Sequence, residues 1–494
     1  MSMRESNSKA DWLFVAAHRT FRSKKGRNDD VGRGILAAVV WATLLLSGCA
    51  VGPNYVRPKV NAPADFRGAE GATQQASFAD LPWWEAFKDE QLKTLIATAL
   101  ANNYDLAVAV SRVEQARQLA NVTRAQYFPS VGYSVGASNG KNEFLGSVIP
   151  GSGTTKGSFL AFGSAAWEAD IWGRLGSAKK ASLAGLLGTE AGARAIQSEI
   201  VSEIASLYYI LLALDQQVII TEQTVKNWDT TVTTMQSLQA SARVTEAAVV
   251  QCQAQRDAAA VTIPDLYQNI RATENALSIL LGVPPADISR NRLEDQSAIP
   301  ILNTGIPAQL LANRPDVQQA EQAYRYAFEL TNVARTAFYP SLTITGSAGY
   351  SSFSVSSFFD LPALGASIVG GLFQPILNRR LNKTKLEVAK EQQQAALLSF
   401  KTALLVAGRE VSDALSLHVA ARDKMMVRSS EITALQQSVA YTQELLQNGF
   451  ANYTEVITAR QSLLAAELER VNDKLQELQS IVSLYVALGG GWRS

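Results

Sequence analysis

Residues that could carry catalytic or metal chemistry are few and scattered in this chain. Its 494 residues include two histidines, His18 and His418, and two cysteines, Cys49 and Cys252. Histidine-based catalysis and transition-metal binding both need several such side chains close together. We therefore expect no enzyme active site, no bound metal and no cofactor. Two cysteines also give no disulfide framework.

One short motif could be mistaken for a catalytic ion pair. Arg314-Pro315-Asp316 brings a cation and a carboxylate within three residues of each other. Proline is favoured in the first turn of a helix, where its missing N–H leaves no hydrogen bond unmade. We therefore interpret the motif as a turn that opens a helix.

Cys49 has the clearest chemistry, because its surroundings favour acylation of its thiol. A basic segment, residues 1–34, precedes an apolar run of 12 residues from Ile35 to Leu46. A bilayer span takes about 20 residues, so this run fits a signal-peptide core instead. It ends in Leu46-Ser47-Gly48-Cys49, which resembles a bacterial lipobox. We expect residues 1–48 to be removed as a lipoprotein signal peptide; an ordinary signal peptide with a chance cysteine is the alternative.

Composition narrows the partners and the way in which the chain could cross a membrane. Its net charge is +1 and 18% of its residues are charged, so there is no basic excess for nucleic acid. Residues 49–82 are rich in Pro, Ala and Gly and are expected to form the lipid anchor and a linker. No later segment has 18 apolar residues in a row. A membrane-crossing mature chain would therefore form a closed β-barrel, because lipid does not tolerate open sheet edges.

The chain contains two copies of one phrase, each between a helical and a strand-like pattern. Tyr127-Phe128-Pro129-Ser130 is the first copy and Phe338-Tyr339-Pro340-Ser341 is the second. A long internal repeat indicates one architecture built twice. We therefore predict a first repeat over residues 83–282, an inter-repeat linker over 283–312 and a second repeat over 313–494.

Alternating patterns predict two strands in each repeat. The first pair falls near residues 131–138 and 157–171, and the second near 341–352 and 367–377. Runs of about ten residues with one apolar and one small or polar face are typical of transmembrane barrels, although a soluble sandwich gives the same alternation. Small barrels need about eight strands, so four cannot enclose a pore. If these strands span a membrane, several copies must pool them, which predicts an oligomer.

Each repeat also contains a very long helical pattern. Residues 178–241 and 384–447 contain no proline and place apolar residues at spacings of three and four. Such a helix is roughly 95 Å long at 1.5 Å per residue. Each ends in a tight turn, at residues 242–245 and 449–452, and a second helix returns. Asn452 and Glu455 have the spacing of a helix capping box.

Several motifs together resemble the outer-membrane factor family, the TolC-like exit ducts of tripartite efflux pumps, in its lipidated OprM/NodT-type branch. The resemblance covers nearly the whole mature chain. It implies an α+β membrane protein, a homotrimer that pools four strands per chain into a 12-stranded transmembrane β-barrel. That barrel would continue into a long 12-helix periplasmic α-barrel, with two internal structural repeats in each chain. The motifs are the lipobox with Gly52-Pro53-Asn54-Tyr55, Trp83-Trp84, Ala101-Asn102-Asn103-Tyr104-Asp105-Leu106, Asp170-Ile171-Trp172-Gly173-Arg174, Asn313-Arg314-Pro315-Asp316-Val317, Phe338-Tyr339-Pro340-Ser341 and Leu484-Tyr485-Val486-Ala487-Leu488-Gly489-Gly490-Gly491-Trp492.

The resemblance implies a passive efflux duct rather than an enzyme. Such a duct lies in the outer membrane of a Gram-negative bacterium, in contact with its lipid, and extends into the periplasm. An inner-membrane RND-type transporter supplies the energy, and a periplasmic adaptor (membrane fusion protein) joins the two. The exported compounds would be drugs or other toxic small molecules. Alternatives are a duct of the same fold for an ABC-type or metal-ion exporter, and a structural envelope lipoprotein without a pore. Met425-Met426 is the only methionine pair after the signal peptide, which gives little support to a copper or silver exporter.

The resemblance also places a periplasmic gate just past the second turn. This chain departs from the lipidated branch there, because Thr454, Thr458 and Gln461 replace leucine, aspartate and arginine. Glu455 matches an acidic position of the TolC type, and a trimer would gather three such carboxylates around a narrow pore. We expect Glu455 to be the main charged gate residue; the alternative is that it only caps its helix.

The two turns are the expected docking surfaces for the adaptor. The alternative is that they are turns and nothing more. Their residues are Ala242, Arg243, Val244 and Thr245 in the first repeat and Gly449, Phe450, Ala451 and Asn452 in the second.

Overall fold

The computed structural model of the chain describes residues 50–59, 66–68, 77–141, 155–296 and 309–493. The expected signal peptide and the acylation site Cys49 lie outside these residues. Parts of the N-terminal linker and of the inter-repeat linker lie outside them as well.

Both halves contain helices, then two strands, then one very long helix and a returning helical segment. The first half contains α1 (Trp83–Ala86), α2 (Glu90–Asn102), α3 (Tyr104–Ala125), β1 (Ser130–Lys141), β2 (Thr155–Ala169), α4 (Arg174–Ala240), α5 (Glu246–Ala260) and α6 (Thr262–Leu280). The second half contains α7 (Leu310–Asn313), α8 (Pro315–Thr336), β3 (Ser341–Ser352), β4 (Leu364–Phe373), α9 (Leu381–Gln447) and α10 (Tyr453–Ala487).

Corresponding elements match in length and in spacing along the chain. Both α4 and α9 have 67 residues, about 100 Å of helix, and lie 207 residues apart at both ends. Helices α3 and α8 have 22 residues each, strands β1 and β3 have 12 each, and both pairs are 211 apart. The offset is 211 up to the first strand of each half and 207 from the long helix onward. The segment from one strand to the next is therefore longer in the first half than in the second.

The four strands form one antiparallel sheet in the order β1-β2-β3-β4. Strand β2 ends at Ala169, two residues before the predicted 171. The prediction for β4, residues 367–377, was wrong at both ends, since the strand spans Leu364–Phe373. Pro375 follows it closely, and proline cannot donate a hydrogen bond to a strand ladder. In the described part of the chain, β1 and β4 each leave one edge unpaired.

The strand register gives the whole sheet one apolar and one mostly small or polar face. Val131 pairs with Ala165, Ala165 with Gly346, and Gly346 with Ile368, so these residues share a face. The opposite face carries Ser134, Ser164, Thr345 and Ser347, with Phe162, Val369 and Phe373 among its larger members. The apolar face is formed by Val131, Tyr133, Val135, Phe159, Ala161, Ala165, Trp167, Leu342, Ile344, Ala348, Tyr350, Leu364, Ala366, Ile368 and Leu372.

The largest hydrophobic core lies midway along the long helices. It includes Leu92, Tyr208, Phe400 and Tyr485, all fully buried. A second, smaller core lies at the far end of the helices, near the turns. Helix α4 is long and apolar enough by composition to cross a membrane, but 56% of its most apolar window is buried inside the chain. A buried core helix passes the same test, so α4 is not evidence of a membrane span.

The two returning helices differ between the halves. Helix α10 is continuous over 35 residues, whereas its first-half counterpart is divided into α5 and α6 at Val261. Pro264 lies in the first turn of α6, where its missing N–H is tolerated. The prediction of one returning helix in the first half was therefore wrong.

An N-terminal strap, residues 50–59, lies along α8 and reaches the junction between β2 and α4. The Tyr55 ring packs on Phe328 with centroids 5.6 Å apart, and Arg57 forms a bidentate ion pair with Glu321 at 2.6 and 2.7 Å. The Val51 N–H donates to the Trp172 carbonyl at 3.0 Å. These contacts place the start of the strap, at Val51, next to the junction between β2 and α4.

Candidate functional site

The two turns at the far ends of the long helices have the same backbone construction. Ala242 and Gly449, at the 207-residue offset, both adopt positive φ, 53° and 81°. The next residue in each turn donates a backbone hydrogen bond across the helix end, Arg243 to Leu238 and Phe450 to Leu445, both at 2.9 Å. This is the Schellman closure, for which glycine is the usual residue. Ala242 adopts the same conformation at a steric cost that glycine avoids.

Side chains bind the two turns into one unit, which we call the tip. Arg243 donates from Nη2 to the carbonyl oxygen of Gln447 at 2.9 Å, next to the second turn. A cation is favoured there because the carbonyls at a helix C-terminus carry partial negative charge. Gln461 on α10 donates to Gln255 on α5 at 2.6 Å. The described structure therefore joins the tip residues of both repeats.

Glu455 forms the predicted capping box. The Asn452 N–H donates to the Glu455 carboxylate at 3.4 Å, and the Thr454 N–H donates to the Asn452 side chain at 3.3 Å. Glu455 is nevertheless exposed in the single chain. Its counterpart in the first turn is Ala248, which is fully buried. An acidic side chain at this position is thus present in only one of the two turns.

The other expected gate residues are held by bonds within and between helices. The Thr458 hydroxyl donates to the Thr454 carbonyl at 3.0 Å, one helical turn back. The Gln461 side chain donates its hydrogen bond to Gln255 on α5. Thr454, Thr458 and Gln461 are exposed and have neutral side chains, so Glu455 is the one acidic residue among the four expected gate residues.

A small core beneath the tip contains a cation that the sequence did not single out. The Arg460 guanidinium lies 5.8 Å from the ring centre of Trp228. Its Nε atom has no hydrogen-bond partner in the described residues, and burial lowers the pKa of this guanidinium. Burial also raises the pKa of the Cys252 thiol, which is fully enclosed. Cys252 is therefore a packing residue and not an exposed reactive thiol.

The tip also presents an apolar side chain to solvent. Phe450 is 82% exposed, although it directly follows the glycine of the second turn. Its first-half counterpart is Arg243, which is bonded to Gln447. A single exposed aromatic ring at the end of a 100 Å helix is suited to insertion into a partner surface. The two turns therefore present different chemistry on a shared backbone.

The motif that could have been mistaken for a catalytic pair is a structural hub. Pro315 opens α8 with Arg314 as its N-cap residue, which confirms the predicted turn. Arg314 forms two hydrogen bonds to Asp316 at 2.9 and 2.6 Å, and also reaches Glu410 at 2.6 Å. The same side chain donates to the Ala487 carbonyl at 3.0 Å. It therefore ties α8, α9 and α10 together near the middle of the molecule.

Comparison with known proteins decides the family. The sequence model of the outer membrane efflux protein family matches residues 95–283 and 306–490. Together these two segments cover well over half of the chain. The chain belongs to the outer membrane efflux protein family. This outer membrane efflux protein is accordingly a channel protein of the outer membrane and not an enzyme.

The chain matches, along nearly its whole length, proteins that are named for efflux systems with different cargo. The cation efflux system protein CusC of Escherichia coli O6:H1 (strain CFT073) is 28% identical over 456 residues, which is 91% of this chain and 97% of CusC. The solvent efflux pump outer membrane protein SrpC of Pseudomonas putida is 29% identical over 462 residues, 92% and 97% of the two chains.

Solved structures share the fold. A crystal structure of CusC superposes with a TM-score of 0.81 at 26% identity, covering 90% of this chain and all of that one. The outer-membrane channel OprN gives a TM-score of 0.84 at 24% identity, covering 90% of this chain and 100% of OprN. The chain therefore folds as these outer-membrane channels do.

Proposed function

We propose that this protein is a trimeric exit duct that carries small toxic molecules, such as drugs, from a periplasmic pump assembly to the exterior. The sheet is the main support: it has one apolar and one mostly small or polar face, and among the described residues both of its edges are unpaired. An open edge in lipid leaves backbone groups without partners, so the strands need other copies to close a barrel. Three copies would supply twelve strands, each continuous with a long helix.

The two halves supply a template for the pairing of β4 with β1 of the next copy. Strand β2 corresponds to β4 at an offset of 207, and β3 corresponds to β1 at 211. The β1–β2 pair Val131–Ala165 shows that the correspondence works. Its counterparts in the second half are Leu342 and Leu372, which are paired in the β3–β4 hairpin. In the β2–β3 pair Ala165–Gly346, the counterpart of Ala165 is Leu372 and the counterpart of Gly346 is Val135. The corresponding pair between copies is therefore Leu372 opposite Val135 of the next copy. Both residues lie on the apolar face, so the proposed closure keeps that face continuous.

We infer that the tip is the periplasmic end of the duct and contains its gate. Glu455 is exposed, is the one acidic side chain among the expected gate residues, and lies in the first turn of α10. Three copies around a narrow opening would attract cations and repel one another. The same side chain caps α10, so its charge is held at a fixed position.

Adaptor docking is assigned to the eight turn residues around Arg243 and Phe450. The exposed Phe450 ring offers the apolar anchor that interface hot spots typically use. The energy source would be an inner-membrane RND-type transporter joined through the adaptor. Cys49 would carry the lipid that tethers the strap to the outer membrane, since Ala50 lies against the strand-to-helix junction.

Relatives of this chain are named for different cargo, so the family alone does not choose between cargo classes. CusC is named for cation efflux and SrpC for solvent efflux, yet their identities to this chain, 28% and 29%, are nearly equal. Among the described residues, no group of three or more His, Cys, Asp or Glu side chains is placed to hold a metal ion. We therefore assign selection of cargo to the partner pump.

Planar-bilayer recording tests the duct. Purified, acylated protein should form channels that conduct ions, with one conductance unit per trimer. Absence of conductance from protein that is trimeric and membrane-inserted would favour the structural lipoprotein instead. A strain without the gene should also accumulate a fluorescent pump substrate, and restoring the gene should reverse that accumulation.

A further inference from the structure

Each half of the chain contains a junction between a strand and the long helix, and the two junctions have the same backbone conformation. Gly173 precedes α4 and Arg380 precedes α9, at the 207-residue offset that relates the two helices. Their φ angles are 75° and 65°, both left-handed. The Cβ direction at Arg380 therefore corresponds to the direction in which a side chain at Gly173 would project.

The N-terminal strap covers the first of these junctions. A Cβ atom on Gly173 would lie 3.1 Å from the Cβ of Ala50. Ala50 directly follows Cys49, the proposed acylation site, so a side chain at Gly173 would project toward the neighbour of that site. Trp172 and Tyr339 pack together at the same junction with ring centres 4.9 Å apart. Such aromatic rings are typical of the headgroup layer of a membrane.

The second junction has no covering strap among the described residues and is basic instead. Arg379 and Arg380 are exposed, and neither guanidinium has an ion pair or a hydrogen bond among the described residues. Lys383 and Lys385 add two exposed cations in the next five residues. The first acidic residue along this helix, Glu387, is paired with Lys390 at 3.1 Å.

Apolar side chains flank these charges. Ile376 is 90% exposed, Leu377 is 97% exposed and Leu381 is half exposed in the single chain. These residues lie where the sheet ends. The cations would complement the anionic headgroup of a lipid, and the aliphatic side chains would contact its acyl chains. An arginine guanidinium can also bind a phosphate through two parallel hydrogen bonds.

We propose that Arg379 and Arg380 bind the phosphate of an anionic phospholipid in the periplasmic leaflet of the outer membrane. The first junction of each chain would then hold a covalently attached lipid and the second a bound one. A trimer would alternate the two kinds around its barrel. This proposal rests on the proposed membrane-inserted, acylated duct.

The test is native mass spectrometry of the purified, acylated trimer titrated with phosphatidylglycerol or with phosphatidylcholine. The variant Arg379→Gly/Arg380→Gly removes both charges and keeps the backbone, because glycine adopts positive φ readily. We expect the wild type to bind phosphatidylglycerol more tightly, on the order of 30-fold for two arginines at an anionic surface. The glycine variant should lose that preference, Arg379→Lys/Arg380→Lys should keep most of it, and Arg409→Ala, an exposed arginine farther along α9, should not change it.

Conductance and trimer content are measured on the same samples. Equal affinity of the wild-type trimer for the two lipids would overturn the proposal and leave the duct intact. Loss of trimer from the glycine variant without loss of lipid preference would also overturn it, because the arginines would then pack against the next copy. Displacement of phosphatidylglycerol by millimolar inorganic phosphate would overturn the lipid assignment. A wild-type protein that forms no conducting trimer would instead refute the proposed function.

Discussion

Replacing Glu455 with glutamine separates its capping role from its proposed role in the gate. The carboxylate accepts the Asn452 N–H at 3.4 Å, and a glutamine amide oxygen can accept the same bond. Glutamine removes the negative charge, and a trimer removes three charges at once. Alanine at the same position removes both the charge and the hydrogen bond.

The two roles differ in magnitude. The capping bond is long and exposed, so its loss should cost about 0.5 kcal/mol, the lower end of the usual range. Three carboxylates about 8 Å from the pore axis would attract a monovalent cation by roughly 1.5 kcal/mol in water. That attraction corresponds to about a tenfold enrichment of cations over a neutral opening.

The assay is the reversal potential of single channels across a salt gradient. Near 0.01 M salt the Debye length is about 30 Å, so the wild type should prefer cations, and both Glu455→Gln and Glu455→Ala should lose that preference. Near 1 M salt the three proteins should converge, since screening then acts within about 3 Å. Glu469→Gln removes an exposed carboxylate about 21 Å farther along α10 and should have a smaller effect. Wild-type selectivity in Glu455→Gln at low salt would refute the gate role.

Three further predictions concern the anchor, the tip and the core. Cys49→Ser should abolish incorporation of labelled palmitate into the mature protein, and continued labelling would place the lipid elsewhere. Phe450→Ala should weaken adaptor binding in surface plasmon resonance about tenfold, whereas Phe359→Ala, equally exposed at the opposite end of the molecule, should not. Burial lowers the pKa of His418, so stability present above the unfolded pKa of about 6.5 is lost as the pH falls toward the folded pKa. His418→Gln should flatten the dependence of melting temperature on pH in that window, and an unchanged slope would assign the acid sensitivity to other groups.

Most of the fold can be predicted from short-range sequence patterns, because long helices repeat their pattern of apolar residues many times. The proline-free runs 178–241 and 384–447 lie almost wholly inside α4 and α9, which begin a few residues earlier. The capping box at Asn452 was visible from spacing alone and is present. Both features depend on residues within a few positions of one another, which a single sequence displays directly.

Contacts between residues that are far apart in the sequence could not be predicted from such short-range patterns. The bond from Arg243 to Gln447 joins residues 204 apart, and Arg460 meets Trp228 only because α10 packs on α4. The break at Val261 had a local signal in Pro264, but proline is also tolerated in the first turn of a helix. Strands β2 and β4 end two and four residues before their predicted ends, because the last backbone pair depends on the partner strand and not on the strand's own sequence.

Closure of a barrel between copies is the central claim, and disulfide trapping tests it most directly. Leu372→Cys and Val135→Cys, combined in one chain with the buried Cys252 replaced by alanine, should form a covalent trimer in outer membranes under mild oxidation. The matched pair Leu372→Cys with Ser134→Cys shifts the register by one residue, which moves one thiol to the opposite face, and should remain monomeric. Efficient trapping of the shifted pair, or no trapping of either pair in conducting protein, would contradict the proposed closure.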